Sequence, residues 1–122
     1  MACEVEHTDE FEAWWKTLTE TEQEDVAAIV GVLEDRGVNL PFPYSSGIES
    51  SKHAHMRELR IQSGGHPIRV FYALDPRRTG ILLIGGDKTG NDRWYEEFVP
   101  LADGIYDRHL REIERERKKD SS

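Results

Sequence analysis

A predicted β-sheet occupies residues 56–88 of this chain, which read MRELRIQSGGHPIRVFYALDPRRTGILLIGGDK. Three apolar-rich segments, at 56–62, 68–74 and 80–84, are separated by residues that favour turns. The glycine pair between the first two supplies the positive φ angles of a tight hairpin, and the Asp-Pro between the second and third begins another turn. These features predict an antiparallel three-stranded meander, in which the continuously apolar third strand is the best buried.

Helical spacing of apolar residues replaces this pattern on both sides of the predicted sheet. Upstream, it predicts a first helix over 10–18. Thr19 and Glu22 then have the spacing of a capping box, and they begin a second helix that ends near Gly37. Downstream, one apolar stripe starting at Trp94 predicts a C-terminal helix.

Three further segments are assigned from their turn residues and charge. Residues 39–51 contain two prolines and a glycine and are predicted to form a loop. Pro100 falls inside the C-terminal stripe, where it predicts a kink or a fresh helix start. The highly charged tail at 114–122 is expected to fray.

We predict one α+β domain over residues 1–122. Residues 1–51 are mainly helical, residues 52–90 hold the meander, and residues 91–118 form the C-terminal helix. In this arrangement the helices pack on one face of a small, mainly antiparallel sheet. Residues 3–7 are also compatible with a short edge strand.

Composition excludes several classes of protein. The chain has no apolar run near the roughly 18 residues of a transmembrane helix, so no membrane partner is expected. Its acidic N-terminus lacks the apolar core of a secretory signal. Cys3 is the sole cysteine and cannot form an internal disulfide. These features favour a cytoplasmic protein.

The net charge of −8 is distributed unevenly along the chain. Residues 1–51 carry twelve acids and two bases, whereas residues 52–95 carry eight bases and four acids. Residues 96–122 carry eight acids and six bases. The basic middle segment is compatible with a local phosphate-binding patch, and equally with strand residues that present their charges to water.

A cluster of basic residues on the predicted sheet is the first candidate site. Strand alternation puts Glu58 and Arg60 on one face of the first strand, and Arg69 and Phe71 on the matching face of the second. An open, cationic and partly aromatic face suits RNA, because guanidinium groups bind phosphate and a ring stacks on a base. The other members of this candidate cluster are Arg57, Arg77, Arg78, Lys88 and Arg93.

Two other motifs give weaker signals. Residues 85–90, GGDKTG, lack the spacing and the Gly-Lys-Ser/Thr ending of a nucleotide-binding P-loop, and a strand-to-helix connection explains these glycines equally well. His53 and His55 are close in the sequence, but the other three histidines are scattered, and two histidines alone do not make up a set of metal ligands. We predict no metal site and no cofactor.

An ordered set of motifs resembles a known protein family. ELR at 58–60, RVFY at 69–72, ILLIGGDK at 81–88 and RWY at 93–95 are similar, in this order, to the RelE/ParE toxin superfamily. The resemblance is greatest to the HigB-like, phage-derived branch of type II toxin–antitoxin systems. It covers residues 53–112, and the set is more specific than any single motif.

This resemblance implies a RelE-like fold of the microbial ribonuclease type, with a basic site on the concave face of its sheet. It implies a toxin that inhibits translation as a metal-free, ribosome-dependent mRNA endoribonuclease. The implied partners are the ribosome with its mRNA and a cognate antitoxin, often of helix-turn-helix type, in a dimer or a heterotetramer. The alternatives are a non-catalytic protein of this fold, either a gyrase poison or a degenerate toxin that only binds its antitoxin, and an adaptor domain.

The resemblance also implies roles for particular residues. Arg60, Arg69, Tyr72 and Lys88 match family positions that carry catalysis. In metal-free cleavage the 2′-hydroxyl of RNA attacks the phosphate, so the protein must move protons and stabilise the charged phosphorane. The three basic residues fit charge stabilisation, and either Tyr72 or Lys88 fits proton transfer.

Two points remain open at the level of the sequence. Glu58 and Asp87 are both candidates for the base, and each fits a plain ion pair with arginine equally well. Tyr72 and Arg69 cannot share a face of a regular strand, so Tyr72 either belongs to the core or is redirected by a bulge. The residues predicted to contact RNA are Arg57, Glu58, Phe71, Asp87 and Arg93.

Overall fold

A five-stranded sheet with helices on both faces forms the body of the protein. The structure is a computed structural model that describes residues 2–120, apart from the side chain of Val38. In chain order the elements are β1 (Val5–His7), α1 (Asp9–Trp15), α2 (Glu20–Arg36), a 3-10 turn (Gly37–Asn39), β2 (Ser45–Gly47), β3 (Arg57–Ser63), β4 (His66–Leu74), β5 (Gly80–Asp87) and α3 (Trp94–Asp120).

The strand order across the sheet is β1-β5-β4-β3-β2. β3, β4 and β5 form the predicted antiparallel meander, and β2 adds to its edge in an antiparallel sense. β1 pairs with β5 in parallel. Helices at both ends of the chain and a mostly antiparallel sheet confirm the predicted α+β class.

The turns of the meander form as the sequence predicts. Gly64 and Gly65 both have positive φ angles, of 56° and 82°, as a two-residue hairpin requires. At the second turn the carboxylate of Asp75 accepts hydrogen bonds from the backbone N–H groups of Arg77 and Thr79. Local turn chemistry therefore sets the register of the meander.

The glycines of the predicted 85–90 loop lie inside β5, which was not expected. A Cβ atom at Gly85 would lie 2.4 Å from the indole of Trp14, and one at Gly86 would lie 3.0 Å from the indole of Trp94. These two rings press on opposite faces of the strand. The glycines therefore serve close packing against the helices, and the prediction of a loop at these two positions was wrong.

A second difference concerns residues 39–51, which were predicted to form a loop. Ser45–Gly47 pair with Arg57–Leu59 as a three-residue edge strand. Two serines and a glycine show no apolar alternation, so periodicity could not reveal this strand. Its position matters because β2 covers only the first three residues of β3.

Side-chain caps begin the first two helices, and the capping box of the second was predicted. Thr8 accepts a hydrogen bond from the backbone N–H of Phe11, and Thr19 with Glu22 forms the complete capping box. α1 ends at Trp15, three residues earlier than predicted. α3 continues through Pro100 as one helix, so no fresh start occurs there.

Two apolar clusters lie on opposite faces of the sheet. On one face, α1 and α2 cover side chains such as Leu59, Val70 and Tyr72. On the other, α3 covers Phe71 and Leu83. Helices were predicted on one face only, and this was wrong because the C-terminal helix crosses back over the second face. The part of that face beyond α3 holds the candidate site.

Candidate functional site

Two arginines face each other across the two central strands of the meander. Arg60 on β3 is the direct partner of Arg69 on β4. The backbone N–H of Arg60 donates to the carbonyl of Tyr44, away from β4, so the arginines form a non-hydrogen-bonded pair, in which side chains approach most closely. Like charges in this position destabilise a sheet, so a compensating group is needed.

The buried carboxylate of Glu58 is that group, and it binds four side chains. Its Oε2 accepts hydrogen bonds from Ser46 Oγ at 2.8 Å and from Arg60 Nη1 at 3.3 Å. Its Oε1 accepts one from the Tyr95 hydroxyl at 2.8 Å and lies 3.6 Å from Arg69 Nε. Glu58 is only 4% exposed, and its contacts with both guanidinium groups hold the two arginines together.

The guanidinium of Arg69 retains an unused donor. The residue is 5% exposed, and its Nη1 donates to its neighbour's carbonyl, that of Ile68, at 3.0 Å. Its Nε is buried and has no hydrogen-bond partner, because the oxygen of Glu58 lies beyond hydrogen-bond range. A buried N–H without a partner costs about 1–3 kcal/mol, which an anionic oxygen at this point would recover.

Lys88 and Tyr95 border the arginine pair on the side of α3. The backbone N–H of Lys88 donates to the carbonyl of Pro67, and its Nζ lies 5.2 Å from the ring centre of Tyr95. Burial, followed by the charge of Arg69, lowers the pKa of Lys88. Burial and the hydrogen bond to the Glu58 carboxylate raise the pKa of the Tyr95 hydroxyl. The lysine therefore releases a proton more readily than usual, and the tyrosine less readily.

The site carries an excess of positive charge. Arg60, Arg69 and Lys88 together outweigh Glu58 by two charges. α1 and α2, with most of the acids of the first half of the chain, pack on the other face of the sheet. The positive site therefore faces away from the most acidic part of the protein, although the net charge is −8. We refer to Glu58, Arg60, Arg69 and Lys88 together as the arginine cluster.

Two predicted site residues lie elsewhere. Tyr72 is buried on the face covered by α1 and α2, with its hydroxyl 2.6 Å from Ser45 Oγ. A bulge does occur beside it, but it is Leu83 of β5 that is extra, and Tyr72 stays in the core. Of the two alternatives left open by the sequence, Tyr72 therefore belongs to the core, and this position does not fit the catalytic role that the resemblance implied for it. Phe71 is fully buried and stacks on Trp94, so it cannot stack on a base as predicted.

Three charged residues that were predicted to contact RNA bind partners outside the arginine cluster. Arg57 points to the opposite face, where its Nε donates to Ser45 Oγ at 3.0 Å. Asp87 accepts hydrogen bonds from both the backbone and the hydroxyl of Thr89. Arg93 is exposed and binds its helix neighbour Glu96.

Sequence reasoning missed three residues of the site. Tyr95 follows the buried Trp94, and only the rule that adjacent aromatics cannot both point inward hints at its position. Ser46 belongs to the strand that periodicity did not reveal. Phe42 is 68% exposed, and the guanidinium carbon of Arg60 lies 5.0 Å from its ring centre.

Within residues 2–120, no group of three or more His, Cys, Asp or Glu side chains could hold a metal ion. Over the same range, no helix is both long and apolar enough to cross a membrane.

Comparison with known proteins finds a family and two relatives. The family described as phage-derived protein Gp49-like matches residues 13–107. A Mycobacterium tuberculosis protein named as candidate toxin HigB3 is 39% identical over 93 residues, which are 75% of this chain and 80% of the relative. Another, candidate toxin HigB2, is 36% identical over 104 residues, 84% of this chain and 52% of the relative. The chain thus spans about half the length of HigB2.

Two solved structures share the fold. One is the toxin–antitoxin complex RelBE2 from Mycobacterium tuberculosis, with a TM-score of 0.54 and 17% identity, covering 71% of this chain and 99% of the other. The second is a mutant of the Escherichia coli toxin RelE in the free state, with a TM-score of 0.55 and 11% identity, covering 79% and 94%. At these identities the likeness concerns the fold, and it confirms the RelE-like architecture.

Proposed function

The chain belongs to the Gp49-like family and to its HigB-like branch, and from this premise we propose that it is the toxin of a type II toxin–antitoxin pair. We propose further that it cleaves mRNA on the translating ribosome without a metal ion. The observation that carries this proposal is the cross-strand pair of Arg60 and Arg69, held by buried Glu58 and bordered by Lys88. Two guanidinium groups side by side suit a phosphate that gains charge during the reaction.

In this mechanism the 2′-hydroxyl of the substrate attacks the neighbouring phosphorus. The P–O5′ bond then breaks, leaving a 2′,3′-cyclic phosphate and a 5′-hydroxyl. Arg60 and Arg69 stabilise the negative charge on the phosphorane oxygens. Lys88 donates the proton that the leaving 5′-oxygen takes up, and its lowered pKa makes this donation easier.

Neither carboxylate near the site is free to act as the base of the reaction, and this favours dependence on the ribosome. Both oxygens of Glu58 are engaged by neighbouring side chains, so its proposed role is to position the arginines. The carboxylate of Asp87 is bound by Thr89. We propose that the proton of the 2′-hydroxyl leaves to water or to a group that the ribosome supplies.

An antitoxin is the expected partner. A structure of the same fold was solved in a toxin–antitoxin complex. We propose that a protein encoded beside this chain binds it and suppresses its activity. Co-expression of the adjacent reading frame is expected to restore growth, whereas growth arrest that persists in its presence would contradict this assignment.

A second function, binding without cleavage, is favoured by the net charge of −8 and by the lack of a free base in the arginine cluster. A gyrase poison, or a degenerate toxin that only binds its antitoxin, would bind its partner without cleaving RNA. Induced expression in a bacterial host, with growth, translation and mRNA ends followed together, separates the two functions.

The test compares the wild-type chain with the Arg60→Ala, Lys88→Ala double variant. The matched control is Arg111→Ala, which removes a positive charge from an exposed position on α3. We expect growth arrest and cleavage within translated mRNAs for the wild type and the control, and neither for the double variant. Arrest with intact mRNA would contradict the nuclease and support a gyrase poison, and no arrest would support the degenerate toxin.

A further inference from the structure

Phe42 is the most exposed of the large apolar side chains in the described part of the chain. It lies in the connection between α2 and β2, and a single exposed ring is not unusual in itself. Its neighbour makes it informative, because the guanidinium carbon of Arg60 lies 5.0 Å from the ring centre. The same arginine belongs to the arginine cluster, so the ring stands directly beside the proposed catalytic site.

A groove connects the exposed ring to the arginine cluster. Its volume is about 490 Å³, and its lining includes Phe42, Arg60, Gln62, Arg69 and, from α2, Asp25. The two arginines outweigh the carboxylate of Asp25, which accepts a hydrogen bond from Ser63 Oγ, and the phenyl ring supplies an apolar wall. A positively charged groove with an aromatic platform is the arrangement that single-stranded nucleic acid binds without strong sequence preference.

The groove follows an unpaired edge of the sheet. β2 pairs with β3 only as far as Leu59, so residues of β3 beyond it have no neighbouring strand on that side. The N–H of Arg60 points to this side, and the main chain of Gln62, two residues further, points the same way. The main chain of Pro67, the cross-strand partner of Gln62, points the other way, and its carbonyl accepts a hydrogen bond from the backbone N–H of Lys88. The backbone N–H and C=O of Gln62 are therefore directed at the groove, where they can meet the edge of a base.

We propose that Phe42 is a stacking platform for one base of single-stranded RNA, in a subsite next to the reacting phosphate. The base lies on the open side of the ring, Arg60 holds the ring from its other side, and the adjoining phosphate reaches Arg69 and Lys88. This inference rests on the proposed function, since it names how the same site holds its substrate. A protein partner on the same ring is the competing occupant, and the positive charge of the groove favours the nucleic acid.

The test is a binding cycle that changes the protein and the RNA together. The probe is a fluorescein-labelled RNA nonamer with 2′-fluoro riboses, which has no 2′-hydroxyl to attack the phosphate. A second probe has the same backbone with every base removed. Anisotropy is measured for the wild-type chain, Phe42→Ala and Phe42→Trp, at about 0.1 M salt, where the Debye length is about 10 Å. The thermal unfolding of each variant is measured as a control for folding.

Stacking on an aromatic ring corresponds to a loss of about 5- to 150-fold in affinity when the ring is truncated to alanine. We expect Phe42→Ala to weaken binding of the base-containing strand by this factor, and to leave binding of the abasic strand within about twofold of wild type. Phe42→Trp should bind as well as wild type or better, because the larger ring preserves the platform.

Three outcomes would overturn the stacking platform. They are wild-type affinity of Phe42→Ala for the base-containing strand, equal weakening on both strands, and no binding of either strand by the wild-type chain. The first would assign the ring to a protein partner. Loss of the proposed function is separately visible, because a chain that cleaves no mRNA in cells can still show the base-dependent effect of Phe42. Conversely, a chain that cleaves mRNA but shows no such effect retains the function without the platform.

Discussion

Glu58→Ala tests whether the buried carboxylate holds the arginine cluster together. In the wild-type protein its Oε1 lies 3.6 Å from Arg69 Nε, and both side chains are about 95% buried. At that separation the attraction is about 5 kcal/mol for an effective dielectric constant near 20. The substitution leaves the Arg69 guanidinium buried, without its counter-charge, and directly opposite Arg60.

The expected loss is about 3–5 kcal/mol in the free energy of unfolding, which is typical when one partner of a buried ion pair is removed. A domain of this size is stable by only about 5–15 kcal/mol, so the effect is large. Urea denaturation followed by tryptophan fluorescence measures it, because the chain contains three tryptophans. Glu58→Gln should lose less, since the amide oxygen still accepts hydrogen bonds.

A double variant supplies the control for this prediction. Glu58→Leu with Arg69→Met removes both charges and is expected to recover most of the lost stability, because no unpaired charge remains buried. A loss below about 1 kcal/mol for Glu58→Ala would refute the reasoning. So would a double variant no more stable than Glu58→Leu alone, because the loss would then not come from the uncompensated arginine.

Three further predictions concern groups beside the site. Tyr95→Phe removes a 2.8 Å hydrogen bond to the buried carboxylate and should lower the free energy of unfolding by about 1–2 kcal/mol in urea, whereas no change would argue against that bond. The pKa of Lys88 is lower in the folded protein than in the unfolded chain. Below the folded-state pKa, the charged lysine therefore lowers the free energy of unfolding, and this loss disappears as the pH rises towards the ordinary value of 10.5. Lys88→Met should therefore unfold at higher urea than wild type at pH 7, with a gap that narrows as the pH approaches 10.5, and a widening gap would contradict the sign. Gly85→Ala forces a Cβ to within 2.4 Å of the Trp14 ring and should destabilise by more than about 2 kcal/mol, whereas Gly104→Ala on α3 meets open space and should stabilise by up to about 1 kcal/mol in the same assay.

Local rules predicted the parts of the fold that depend on neighbouring residues. The Gly-Gly hairpin fixed which residues of β3 and β4 face each other, and strand alternation put Glu58, Arg60 and Arg69 on one face. The capping box of α2 could also be predicted, because its two hydrogen bonds join Thr19 and Glu22, which are only three residues apart.

Features that depend on distant packing could not be predicted in the same way. Phe71 has the alternation of an open face, but α3, which follows it by more than 20 residues, returns to bury it under Trp94. Tyr95 reaches Glu58 only through this same return of the chain. The two glycines of β5 read as a loop, because their packing against Trp14 and Trp94 is a tertiary contact with no local signature.

The most direct test of the central claim is the chemistry of the RNA ends made in a purified translation system. We expect the wild-type chain to leave 2′,3′-cyclic phosphate and 5′-hydroxyl ends in translated mRNA, and to spare an mRNA with a 2′-deoxyribose at the cleaved position. The Arg60→Ala, Lys88→Ala variant should leave the mRNA whole, while Arg111→Ala should cut it like wild type. Ends with a 5′-phosphate and a 3′-hydroxyl, or cutting that survives loss of the 2′-hydroxyl, would contradict a metal-free reaction at the arginine cluster.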